Sequence, residues 1–401
     1  LFYKQSVTQI ANLRLPICKG VAMKIFNRLA DQFKKVQPLP AGLYHMQADE
    51  KPLRIHLRLR DDGSGLLILN ASTVLQLNPT AAEYAWHYIK GTPAADAAKQ
   101  IAARYRIGNA QALEDYADFS DRLQTLIETP DLDPVTFLDF ERVAPHSADL
   151  SAPLRIDCAL TYRVTPATQP DAAPTKRVDR ELTTDEWRAI LDKAWGAGIP
   201  HVTFTGGEPT LREDLPNLIA HAESLGMVCG LMTDGIKLEE NDYLHTLLQT
   251  GLDHVLITLD PKEASTWDAI RLIVPADLFL TVHITINQKT ARDGEKLIEK
   301  LSELGVQNIS LSAPDKTFLG DMLIAQKRAN ELGLTLRWDL PVPYSASSPA
   351  AYETEDDNVP AGAGRAWLYV EPDGDVLPTQ GEADKVMGNM LNDPWEKIYQ
   401  K

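Results

Sequence analysis

The sequence predicts an α/β protein whose main body is a parallel sheet of about six βα units, curled into a full or partial barrel. Three observations lead there. From residue 154 apolar strand-like runs alternate with helical patterns at short spacing. Before that point the pattern is that of a small α+β unit. After about residue 340 the chain turns loop-rich and closes on a hairpin.

The first 40 residues carry seven Lys/Arg (Lys4, Arg14, Lys19, Lys24, Arg28, Lys34, Lys35) against Asp31 alone, although the whole chain is acidic at −16. Ala22, Ile25, Phe26, Leu29 and Phe33 form an apolar stripe at helical spacing opposite a basic face. Residues 16–36 therefore read as an amphipathic helix. Two destinations stay open: its own domain, or an anionic membrane surface or acidic partner. Gln37-Pro38-Leu39-Pro40 ends this arm, which spans 1–40.

Residues 41–130 form the α+β unit. Arg54–Leu59 alternates, Leu66–Leu69 is apolar, and Asp61-Asp62-Gly63-Ser64-Gly65 between them is hairpin chemistry. Helices are expected over Pro79–Lys90, Pro93–Tyr105 and Ala110–Ile127, with Thr92 capping the second. A Pro-, Asp- and Ser-rich stretch makes 131–153 a linker.

In the body, 154–340, strands are expected at 154–160, 200–205, 227–232, 254–260, 279–286 and 307–312. Helices are expected at about 183–196, 212–225, 239–250, 263–271, 291–304 and 316–332. In the tail, 341–401, Trp367–Val370 and Val376-Leu377 flank the turn Pro372-Asp373-Gly374-Asp375.

Composition excludes several classes. Hydrophobic residues at 44% and charged residues at 24% suit a packed core. The acidic balance disfavours nucleic acid as a partner. No apolar run of about 18 residues or more exists, so no membrane-spanning helix is expected. No secretory leader is legible, and the expected location is cytoplasmic, peripheral to a membrane if the arm adheres to one. The three cysteines, Cys18, Cys158 and Cys229, are too scattered for a disulfide framework or a zinc finger. His254 and His283 fall in expected strands and read as satisfied core residues. Glu208 and Asp260 are placed at carboxyl ends of strands, where barrel sites lie. Asp157 joins them only if its side chain points inward.

The most informative segment is His201-Val202-Thr203-Phe204-Thr205-Gly206-Gly207-Glu208-Pro209-Thr210: a buried strand, a Gly-Gly turn, an acid and a proline. On the second strand of a βα series it resembles the radical S-adenosylmethionine (radical SAM) enzymes, over roughly 154–340. The resemblance implies that Gly206, Gly207, Glu208 and Pro209 hold the amino group of SAM's methionine. Met232-Thr233-Asp234-Gly235 is similar to the ribose-contacting turn, Ile257-Thr258-Leu259-Asp260 to the strand facing SAM's carboxylate and ribose, and Thr285-Ile286-Asn287 to a later pocket strand. Residues 44–130 resemble the winged-helix-like PqqD-like domain that binds leader peptides. Residues 361–400 resemble the SPASM extension, which carries auxiliary clusters. Together they resemble a peptide-modifying maturase of the TIM-barrel-like radical SAM type.

The family carries C-x3-C-x2-C after Leu-Thr-x-Arg. Here Leu160-Thr161-Tyr162-Arg163 is present, but Val164, Thr168 and Asp171 stand at the ligand positions. A register starting at Cys158 would use Tyr162 and Thr165. Ala361 and Thr379 replace expected cysteines in the extension. Thiolates hold soft iron; valine offers no donor and threonine a weak one. The sequence expectation is therefore a cluster-less pseudoenzyme that binds a peptide or protein partner as an assembly or regulatory subunit. It has no catalytic residue, no metal and no [4Fe–4S] cluster, and at most a weak, vestigial SAM pocket of Gly206, Gly207, Glu208, Pro209, Thr233, Asp234, Thr258, Asp260 and Asn287. The alternatives are an enzyme using that SAM or nucleotide pocket without iron, and a radical SAM peptide maturase whose cysteines were substituted.

Overall fold

The computed structural model describes residues 9–13, 37–48, 53–70, 73–105, 107–129, 132, 137, 150–165, 178, 180–314, 316–336, 362–380, 382 and 384–399. The expected helix at 16–36, Cys18, and most of the expected 131–153 linker lie outside these residues, as do Thr168, Asp171 and Ala361. The chain divides into two compact units, Leu1–Ala148 and Asp149–Lys401.

The first unit is a five-stranded sheet covered by helices. β2 (Gly42–Ala48), β3 (Leu53–Leu59), β4 (Gly65–Leu69) and β5 (Thr73–Leu77) form an antiparallel meander. The expected hairpin is β3–β4. Its turn is closed by Arg60 and Ser64 backbone bonds of 2.9 Å, with Gly63 at φ +84° and the Asp62 carboxylate accepting from the Ser64 N–H. Sequence reading missed β2, β5 and a strand β1 (Gln9–Leu13) that pairs parallel to β5. The helices α1 (Pro79–Ile89), α2 (Ala94–Tyr105) and α3 (Asn109–Glu128) follow. Asn78 caps α1, with Pro79 at its first position. Thr92 does not cap α2 as expected: its hydroxyl lies 3.2 Å from His87 Nδ1. Ile55, Leu57, Leu67 and Leu75 of the sheet pack with Ala85, Ile101, Tyr116 and Phe119 of the helices to form the core.

The second unit holds the parallel sheet. β6 (Arg155–Thr161), β7 (His201–Gly206), β8 (Val228–Thr233), β9 (His254–Thr258), β10 (Phe279–Thr285), β11 (Asn308–Ser312) and the short β12 (Thr335–Leu336) lie side by side in chain order, all parallel. The helices between them are α4 (Thr184–Ala197), α5 (Leu215–Leu225), α6 (Asn241–Gln249), α7 (Ala264–Ile273), α8 (Gly294–Glu303) and α9 (Leu319–Glu331). This is the expected α/β architecture, within a few residues at each end. Thr183 and Glu186 form a capping box at the start of α4, and Gly198 at φ +92° ends it.

On β6, β7, β10 and β11 the two faces differ in chemistry. Ile156, Cys158 and Leu160, with Val202 and Phe204, face the helices and join one apolar core. The alternate positions, Asp157, Thr161, Thr203, Thr205, Thr281, His283, Ser310 and Ser312, form the other face; they are buried and polar. His201 Nε2 lies 2.7 Å from His254 Nε2. His283 bonds Ser310 and Ser312 at 3.0 and 2.9 Å, so the two expected core histidines are satisfied.

The tail does more than close on itself. β13 (Trp367–Val370) pairs parallel to β6, and β14 (Asp375–Leu377) and β15 (Gly388–Asn389) extend that edge antiparallel. The short α10 (Trp395–Ile398) follows. Lys193 of α4 fastens this tail by donating to the Asp393 carbonyl at 2.9 Å and to the Met390 carbonyl at 2.5 Å.

Candidate functional site

The site is built where β6, β7 and β8 end. After β7 the chain turns at Gly206 (φ +120°) and Gly207. The Gly207 N–H donates to the Thr161 carbonyl (2.7 Å) and the Glu208 N–H to the Arg163 carbonyl (2.8 Å). A Cβ on Gly206 would stand 2.2 Å from the Thr161 oxygen, and one on Gly207 2.1 Å from the Arg163 oxygen. Both glycines are thus required by the close approach of the β6 extension. Pro209 opens a 3-10 turn, Pro209–Leu211, where its missing N–H is harmless.

Glu208 is fully buried and holds the site together. Its Oε1 accepts from the Thr210 N–H (2.9 Å), the Thr210 hydroxyl (2.6 Å) and the Thr233 hydroxyl (2.8 Å); its Oε2 accepts from the Asp234 N–H (2.7 Å). Burial, and then the charge of Asp234, push its pKa up to about 7. The resemblance gives Glu208, with Gly206, Gly207 and Pro209, to SAM's amino group; in the structure its carboxylate accepts from four protein donors and ties the β7 turn to the β8 turn.

The other expected residues divide in two. Thr233, Asp234 and Thr258 belong to the same network. The Thr233 hydroxyl accepts from the Gly235 N–H, and Thr258 donates to the Thr233 carbonyl (3.3 Å). Asp234 accepts from the Ile236 N–H (3.0 Å) and from the Thr165 hydroxyl. Asp260 and Asn287 accept from the N–H groups of Lys262 and Lys289, inside their own turns. Among the described bonds, neither reaches Glu208. Asp157 lies on the polar face but below the site. It forms a buried pair with Arg155 (Nε–Oδ1 2.8 Å).

Sequence reasoning missed the partners that hold the β6 extension. The Arg212 guanidinium pairs with Asp214 at 2.9 and 2.7 Å and donates to the Leu160 and Leu182 carbonyls. Thr161 donates to Glu181. The Tyr162 hydroxyl donates to the buried Glu371 of the tail (2.9 Å). An arginine just past the Gly-Gly-Glu-Pro turn was the one legible signal.

The sequence profile of the radical SAM superfamily matches residues 158–261, which contain Glu208 and the residues that donate to it. Over that stretch the chain is similar to the radical SAM superfamily. Its curated relatives include the PqqA peptide cyclases of Streptomyces rochei, 32% identical over 149 residues covering 34% of this chain and 41% of that protein, and of Methylorubrum populi, 28% identical over 299 residues covering 63% and 75%. The chain spans 41% of the Streptomyces rochei protein's length and 60% of that of the PqqA peptide cyclase of Granulibacter bethesdensis, less than two thirds of either. Among solved structures, SuiB of Streptococcus suis bound to its precursor peptide SuiA shares the fold, with a TM-score of 0.58 over 89% of this chain and 88% of that one at 12% identity. SuiB bound to S-adenosylmethionine gives 0.57, with the same shares covered at 15% identity.

These findings correct two expectations. The pseudoenzyme reading is overturned, because the homologues are radical SAM enzymes, the PqqA peptide cyclases among them. The expected lack of cofactors is overturned with it: the radical SAM match implies SAM and an iron–sulfur cluster.

The donor sets fit these two groups unequally. The Asp234 carboxylate and the Thr233 and Thr258 hydroxyls suit the cationic SAM, while the Glu208 carboxylate is taken by its four protein donors. Cys158 and Cys229 are buried among the apolar residues between sheet and helices, on the face opposite the site, and burial pushes the Cys158 thiol up. They do not fit a cluster at the strand ends. Val164 is 44% exposed with no donor atom, and the Thr379 hydroxyl lies 3.5 Å from Trp367 Nε1. Among the described residues, no helix is long and apolar enough to cross a membrane.

Proposed function

We propose that this chain is a SAM-dependent enzyme that modifies a peptide. One observation carries the reading: a single buried carboxylate, Glu208, locks the Gly206–Glu208 turn to the Thr233–Gly235 turn inside the region that matches the radical SAM superfamily. SAM would lie over these turns. The backbone of Gly206, Gly207 and Glu208 would meet its amino group, with Pro209 fixing the exit of the turn. Thr233, Asp234 and Thr258 would meet its ribose, and Asp260 and Asn287 would close the rim. SAM supplies the reactive carbon–sulfonium bonds when bound. The chain's own residues bind it, orient it and neutralise its positive charge.

A peptide as substrate is supported by the PqqA peptide cyclases among the relatives and by the precursor peptide on SuiB. The PqqD-like reading of residues 44–130 and the SPASM-like reading of 361–400 belong to this proposal. Two measurements test it. Calorimetry should show SAM binding to the purified chain, weakened roughly tenfold or more in Asp234→Asn. Mass spectrometry of PqqA peptide incubated with chain and SAM should show a mass change that needs both. A folded chain with no measurable affinity for SAM would overturn the proposal.

A further inference from the structure

The side chains assigned above to a ribose are covered in the free protein. Asp234 and Thr233 are each 2% exposed, and Thr258 is 9% exposed. Among the described bonds of the Asp234 carboxylate, Oδ1 accepts from the Ile236 N–H of its own turn (3.0 Å), and Oδ2 accepts from the Thr165 hydroxyl. Thr165 belongs to the β6 extension, a different part of the chain. That extension is fastened as far as Arg163. The Thr161 and Arg163 carbonyls accept from the Gly207 and Glu208 N–H groups, and the Arg163 N–H and Nε donate to the Thr161 hydroxyl at 3.0 and 3.1 Å. Val164 then stands 44% exposed, and Thr165 is half-buried. One exposed residue therefore separates the last fixed point from the hydroxyl that lies on Asp234.

We infer that Thr165 is a latch on the ribose site: its hydroxyl holds Asp234 in the free protein, and a ribonucleoside binds by taking its place. The two donors are alike in kind. A ribose presents hydroxyls, and a hydroxyl given to an ionised carboxylate makes a charge-assisted bond. The oxygen has lone pairs to spare, but Asp234 is buried, so a ligand hydroxyl reaches Oδ2 only after the one lying there has left. The bond to Thr165 is lost before the bond to the ligand is gained. The affinity of every ribonucleoside is lowered by the fraction of chains in which the latch is shut. Thr165 thus sets the strength of nucleoside binding without touching the bound ligand. The inference rests on the Thr233–Gly235 turn being a ribose site, as proposed above; it needs neither the rest of SAM nor a peptide.

The probe is adenosine, titrated into the full chain and followed by NMR, which reads weak binding. Thr165→Val keeps the shape of the side chain and removes the hydroxyl; Thr165→Ala removes it without adding a methyl. Both variants should bind adenosine about three- to tenfold more tightly than the parent, the worth of one hydrogen bond no longer given up. Thr165→Ser keeps the hydroxyl and should bind like the parent. A residue that merely supports the turn gives the opposite sign, since its loss loosens the site and weakens binding. Equal or weaker binding by both Thr165→Val and Thr165→Ala would overturn the inference, as would adenosine binding to none of the four chains. Tighter adenosine binding by these two variants, with no affinity for SAM in any chain, would sink the proposed function and leave this inference standing.

Discussion

Glu208 accepts four hydrogen bonds in a place water does not reach, so its charge is stabilised by dipoles and opposed by burial and by Asp234. With its pKa raised from an ordinary 4.5 to about 7, the folded chain holds a proton that the unfolded chain has released. Its contribution to stability is complete below about pH 4.5 and is lost as pH rises through about 7, on the order of 3 kcal/mol in all. Glu208→Gln keeps three acceptor bonds and sets an amide N–H2 against the Asp234 N–H. The expected cost is about 1–3 kcal/mol at pH 5, and the gap from the parent should narrow toward pH 8. Denaturant unfolding at pH 5, 6.5 and 8 checks this; a gap that widens with pH would contradict it. Gly207→Ala faces a backbone oxygen at 2.1 Å that has no way to yield, so the strands must part. A loss of more than about 3 kcal/mol is expected, measured by the same unfolding curves.

Between elements, β8 and β9 are fitted by an absent side chain. A Cβ on Gly230 would stand 2.1 Å from the His254 ring, which occupies that space on its way to His201. Both imidazoles are buried, and burial holds their pKa values down, that of His254 to about 3. Gly230→Ala should destabilise the second unit by roughly 1–3 kcal/mol, the range for overpacking. Adding His254→Ala should recover part of that loss, and the double-mutant cycle should show coupling of about 1 kcal/mol or more. Additive losses would show that the two positions do not share the space. The tail is tied in by a different bond. Tyr162→Phe leaves the buried Glu371 with one donor fewer, an expected cost of about 1–3 kcal/mol in thermal unfolding.

At the scale of the molecule there are two units with separate apolar cores, one around Ile55, Ile101 and Phe119 and one around Phe204, Trp187 and Ile257. Separate cores unfold as separate cooperative units. Calorimetry should resolve two transitions, and SAM should raise only the one belonging to the second unit. A single transition moved as a whole by SAM would contradict this assignment.

By itself the sequence determined the six βα repeats of the second unit, the β3–β4 hairpin and the three helices of the first. Those follow from local signals: strand and helix periodicity, the Asp61–Gly65 turn chemistry, and Gly and Pro at the ends of elements. It also determined the residues of the Glu208 turn, because a Gly-Gly-Glu-Pro run at a strand end is a short contiguous pattern. What Glu208 does was decided by tertiary structure alone. Its partners Thr233 and Asp234 come from another strand, and the oxygens that force Gly206 and Gly207 come from a third. The pairing of β13 with β6, the Tyr162–Glu371 bond and the attachment of β1 to β5 were equally hidden, since each joins residues far apart in the chain. Periodicity reports which face of a strand is apolar; it carries no record of which edge meets which. The missing cysteines were read correctly as residues, yet the conclusion drawn from them failed. An absent ligand set speaks only about one cofactor, while the rest of the domain keeps the pattern of enzymes.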